Sequence, residues 1–114
     1  MDKRSDREDE EVRVVVEPGV CGFQCIVRAK RVENRRVRIG ITSSGCKSII
    51  QMAGLLEDIL LRDLFSPPSR NPVFRSAERA GCHPSCPVPV GVLKAAECAM
   101  RMALARPASI LFER

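Results

Sequence analysis

The stretch Arg36-Val37-Arg38-Ile39-Gly40-Ile41-Thr42-Ser43-Ser44-Gly45-Cys46-Lys47-Ser48-Ile49-Ile50-Gln51-Met52-Ala53 decides the fold, because its apolar period changes within it. Up to Thr42, Val37, Ile39 and Ile41 alternate with Arg36 and Arg38, the repeat of a strand with one buried face. Beyond Ser43-Ser44-Gly45, Ile49, Met52, Ala53, Leu56, Ile59 and Leu60 recur at spacings of three and four. That is the repeat of an amphipathic helix, which either serine can cap and which should run to about Phe65. A strand therefore hands over directly to a helix, and Cys46 stands at the helix start.

Toward the N-terminus the period of two continues. Val12, Val14 and Val16 alternate with polar residues until Pro18-Gly19 turns the chain. A second strand is predicted from Cys21 to Lys30, with Cys21, Phe23, Cys25, Val27 and Ala29 on one face. Glu33-Asn34 makes a hairpin connection to the third strand, about Arg35 to Thr42, so the pairing should be antiparallel.

Toward the C-terminus the prolines of Ser66-Pro67-Pro68-Ser69-Arg70-Asn71-Pro72 mark a loop. A short helix over Val73 to Ala80 follows and Gly81 stops it. Cys86-Pro87 opens another helix, with proline at a position where its missing N–H costs nothing. Val92, Leu93, Ala96, Met100 and Leu104 form its apolar stripe, with Lys94, Glu97 and Arg101 opposite. Ser109-Ile110-Leu111-Phe112 is predicted as a last strand. The fold class is α+β: an antiparallel sheet of three to four strands with helices packed on one face.

The chain has 114 residues, enough for one core. Residues 1–11 carry six acids and three bases and read as a disordered charged tail; residues 12–114 read as a single α+β domain. The tail's net charge of −3 leaves +8 on the domain, out of +5 overall. Six of the domain's bases, Arg28, Lys30, Arg31, Arg35, Arg36 and Arg38, crowd around one hairpin, which should attract polyanions weakly and fade with salt. With four Phe and no Trp or Tyr there is little on which bases can stack, so a nucleic-acid partner is not expected. The charged start has no apolar signal segment or membrane span, and the expected location is cytoplasmic, without a membrane partner.

In that reducing compartment six cysteines argue for ligands or buried thiols rather than disulfides. Cys21 and Cys25 on one regular strand would stand roughly 13 Å apart, far more than the ~3.8 Å between two sulfurs on one tetrahedral zinc. They cannot share an ion unless Gly22 breaks the strand, so Cys25 reads as core and Cys98, on a helix, as a packing residue. Cys21, Cys46 and Cys86 lie where strands end or helices begin, positions at which unpaired N–H groups and the helix dipole favour thiolate. They are the candidate metal or cluster ligands. Cys82 and His83, the chain's one histidine, adjoin Cys86 in an irregular stretch and are candidate fourth ligands.

At these residues the chain resembles the IscU/NifU-type iron–sulfur cluster assembly scaffolds. Cys21-Gly22, Gly45-Cys46 and the His83-to-Cys86 segment follow the order of those scaffolds' three cysteines, the last opening an Ala-rich helix. Phe23 replaces their aspartate and Ser85 the histidine before their third cysteine, and their Leu-Pro-Pro-Val-Lys segment is missing. The resemblance implies an IscU/NifU-like fold, an iron–sulfur cluster or zinc as cofactor, and a protein partner in metal or cluster delivery. The chain is also similar to a family of small proteins of unknown activity with Cys21-Gly22-Phe23 and Cys86-Pro87-Val88-Pro89 motifs.

The leading expectation is a small cytoplasmic protein binding a metal or iron–sulfur cluster, in a scaffold or carrier role. Its competitors are a thiol-dependent enzyme, with Cys46 or Cys86 as nucleophile and His83 as base, and a basic interaction module with structural cysteines.

Overall fold

The computed structural model describes residues 11–113. The charged tail read over residues 1–11 lies outside them except for Glu11, which opens the first strand. Four strands form one antiparallel sheet in sequential order: β1 (Glu11–Val16), β2 (Cys25–Glu33), β3 (Arg36–Ser43) and β4 (Asp58–Leu60). Val14 pairs with Val27 and Val27 with Ile41, so the alternating valines and isoleucines meet across the sheet on one face. Asn34 and Arg35 form the two-residue turn between β2 and β3, and the register shifts by one residue between Arg31 and Glu33.

That face is covered by three helices, α1 (Lys47–Leu55), α2 (Pro72–Arg79) and α3 (Val88–Ala99). Val27, Val37, Ile49, Met52, Ile59, Val73, Val88 and Val92 are fully buried between the layers. The opposite face of the sheet remains open to solvent along Glu11, Arg13, Lys30, Arg38 and Gly40. The α+β architecture with helices on one face is thus as the sequence predicts.

Four elements differ from expectation. The helix from Gly45 ends at Leu55 rather than near Phe65, because Leu56 turns extended at φ −123° and Asp58–Leu60 joins the edge of β3. Pairing with Val37 buries Ile59 completely and lets Asp58 meet Arg36 and Arg38 at 3.4 and 3.3 Å. Residues 61–65 then form a 3-10 turn. The predicted strand at Ser109–Phe112 does not form: the segment is coil, with Ile110, Leu111 and Phe112 exposed. The last helix ends at Ala99, Arg101 adopts φ 61°, and Leu104 consequently leaves the apolar stripe for solvent. The fourth correction, at the start of β2, concerns the cysteines.

Candidate functional site

Cys21 is not on a strand. Pro18-Gly19 starts a turn in which the Gly22 N–H donates to the Gly19 carbonyl at 3.0 Å, with both glycines at positive φ, 89° and 72°. β2 begins only at Cys25. Gly22 therefore supplies the break that the strand-spacing argument required, and Cys21 is an exposed loop residue whose position is uncoupled from the pleat.

Two contacts fasten this loop to the start of α1. The Ser44 N–H donates to the Gln24 carbonyl at 3.0 Å. Phe23 lies over Gly45 so closely that a Cβ there would fall 2.7 Å from the ring's Cε1. The chain from Cys21 to Phe23 and the chain from Gly45 to Cys46 are thus one packed unit. Ser43 is not the helix cap. Its Oγ accepts from the N–H groups of Gly45 (3.3 Å) and Cys46 (3.0 Å), and Cys46 itself occupies the capping position with no side-chain bond.

The third connection is built from the end of α2. Gly81 at φ 77° lets the Gly81 N–H reach the Glu78 carbonyl and the Cys82 N–H reach the Ala77 carbonyl, at 3.1 and 2.9 Å. This pair of bonds is a Schellman ending, and it fixes Cys82 against the core. His83 through Cys86 then turn back, with the Cys86 N–H donating to the His83 carbonyl at 3.0 Å. The Ser48 hydroxyl, in the first turn of α1, bonds the Gly81 carbonyl at 3.5 Å and joins this connection to the other two.

Five thiols consequently share one end of the molecule. Cys25 is buried at the start of β2, opposite Ser43; Cys46, Cys82 and Cys86 are half-buried against the core; Cys21 is exposed. Their electrostatics record the grouping. Burial pushes the Cys25 thiol up from its ordinary value, the Ser43 hydroxyl partly offsets this, and charge on Cys86, Cys46 or Cys21 pushes it further. Cys82 is raised by burial and then by Cys86, Cys46 and Cys25. Cys86 is raised by burial, lowered by a backbone hydrogen bond at Val88, and raised again by Cys46 and Cys21.

Cys98 stands apart, ten residues along α3 from Val88 or about 15 Å of helix axis. His83 is exposed and its ring has no hydrogen-bond partner among the described residues. Among those residues no three His, Cys, Asp or Glu side chains are grouped so that they could hold a metal ion. The thiols are neighbours, not a preformed chelate.

The expectation of a helix-start thiolate is corrected at Cys86. Val88 does lower the thiol there, but desolvation is the larger influence and the net direction is up. What sequence reasoning missed is Asn71, buried at the junction before α2. Its side-chain oxygen caps Val73 at 2.9 Å, and its amide donates to the carbonyls of Asp63 and Ser66. The Asn-Pro dipeptide was its signal, since asparagine caps well and proline favours the first helical position.

The chain belongs to the family of unknown function DUF6951, which it matches over residues 12–112. No curated protein and no solved structure matches it. No helix among the described residues is long and apolar enough to cross a membrane.

Proposed function

We propose that this protein is a small carrier or scaffold for a thiophilic metal, zinc or an iron–sulfur cluster, held by Cys21, Cys46 and Cys86. Cys82 or His83 closes the site. One observation carries the reading: three separate connections, tied to one another by Phe23 on Gly45, Ser44 on Gln24 and Ser48 on Gly81, deliver their cysteines to the same end of the fold. Binding draws the two glycine-hinged loops inward, as metal sites commonly complete themselves only on loading. The order of the three cysteines, similar to that of the IscU/NifU-type scaffolds, supports the same role, with a protein partner receiving the metal or cluster in the reducing cytoplasm. Which thiophile is held follows from geometry and supply rather than from ligand type, since zinc and clusters both accept thiolates.

The enzyme reading loses ground on two observations. Of its two candidate nucleophiles, Cys46 and Cys86, the latter has its thiol pushed up rather than down, and the exposed His83 ring has no orienting partner among the described residues.

The test is metal and acid-labile sulfide analysis of protein purified without oxygen, followed by cobalt titration of the demetallated form. Stoichiometric zinc or iron, or thiolate-to-cobalt charge-transfer absorption, is the expected result. Serine at Cys21, Cys46 or Cys86 should weaken uptake, whereas Cys98→Ser should leave it unchanged. Absence of both metals with no uptake on reconstitution refutes the assignment.

A further inference from the structure

The open face of the sheet, remote in its chemistry from the thiols, carries two unfavourable pairings. Arg13 lies directly opposite Arg28 across β1 and β2, and Lys30 lies directly opposite Arg38 across β2 and β3. Like charges facing each other in a sheet destabilise it, so two such pairs side by side call for an external counter-charge. The face's own acids do not supply it. Glu11 reaches Arg28 at 3.4 Å, Glu33 stands 4.0 Å from Arg36, and Asp58 is shared between Arg36 and Arg38. Arg13 and Lys30 have no ion pair among the described residues. With five cations and three carboxylates, the face carries a net charge of +2.

Its shape matters as much as its charge. Arg28 is opposite Gly40, where the absence of a side chain leaves a gap in the row; a Cβ there would meet nothing within 4 Å. The result is an open depression of about 400 Å³ walled by Glu11, Arg28, Lys30, Val32 and Arg38. Cations around a glycine floor suit a projecting phosphate, whose oxygens accept from arginine forks and a lysine together. The flanking Arg13 and Arg36 extend the positive strip beyond one phosphate's reach.

Against the expectation drawn from the lack of aromatic residues, we propose that this face docks the sugar–phosphate backbone of nucleic acid, one phosphate entering the recess over Gly40 between Arg28, Lys30 and Arg38, with neighbouring phosphates met by Arg13 and Arg36. No aromatic residue is on these strands, so contacts are to the backbone and recognition is indifferent to base sequence. A membrane surface is the less suitable occupant, because the recess is concave and no large aromatic or leucine residue projects among its cations.

The test measures binding of the full chain to a short mixed-sequence DNA duplex by fluorescence anisotropy across a salt series. Three to four neutralised phosphates give a log–log salt slope of about −3. Gly40→Glu puts a carboxylate at the recess, from a position where a Cβ meets nothing within 4 Å, and should weaken binding by at least about tenfold. Gly40→Ala should leave binding within about twofold, and Glu11→Gln should tighten it by freeing Arg28. Circular dichroism confirms that each variant folds. No salt-sensitive binding, wild-type affinity in Gly40→Glu, or binding to phosphatidylserine vesicles but not to duplex overturns the proposal.

Discussion

At Cys86 a helix start and a half-buried setting act in opposite directions, and burial prevails. Burial also raises Cys25 and Cys82, so three thiols of the folded protein hold their protons more tightly than they would in the unfolded chain. A raised acid favours folding while protonated. The stabilisation is fully present below the unfolded thiol pKa, about 8.5, and is lost as pH rises through the raised folded values. Urea denaturation in reductant should therefore show a midpoint that falls as pH rises above about 8. Cys82→Ala with Cys86→Ala should flatten that fall, and a pH-independent midpoint in the parent would contradict the buried setting of these groups. Burial of Cys25 was legible in the alternation of β2. The position of Cys21 was not, because a strand pattern continues through Gly22 on paper while the backbone there turns to a positive φ.

Among the elements, the last helix is placed by a residue that looks like a weakness in it. Gly91 lies on α3 facing β1, and a Cβ at that position would come within 2.6 Å of the Val16 Cγ2. Helix and sheet approach closely there because glycine has no Cβ, at a helical cost of ~1 kcal/mol. Gly91→Ala should thus destabilise the fold by about 1 to 3 kcal/mol despite alanine's better propensity. Adding Val16→Ala should recover part of the loss in a double-mutant cycle, and a stabilised single variant would show that the layers are not in contact at this point. The order of elements was readable because the apolar period switches cleanly at Ser43-Ser44-Gly45. The end of α1 was not. Ile59 satisfies the helical spacing from Leu56 and equally the strand pairing with Val37, and only the tertiary partner, reinforced by Asp58 between two arginines, decides between them.

For the whole molecule, the C-terminal segment poses the sharpest contrast between propensity and partnership. Ser109-Ile110-Leu111-Phe112 has strand-forming residues, yet β4 already occupies the edge of β3, and the segment runs as exposed coil within a molecule measuring 48 × 32 × 25 Å. β-propensity measures fitness for a pleated, half-buried surface, not possession of a neighbour to pair with. Ile110, Leu111 and Phe112 are 89%, 82% and 97% exposed, so they contribute almost no burial to the monomer. Removing residues 107–114 should therefore change the unfolding free energy of the monomeric protein by less than about 0.5 kcal/mol. Urea titrations of the truncated and full chains at low and high concentration check this. Coincident curves at every concentration are expected. A truncation loss above about 1 kcal/mol at low concentration would mean that the segment packs on its own domain, against the exposure described. A loss that grows with concentration would instead identify contacts between copies as the place where these three side chains are buried.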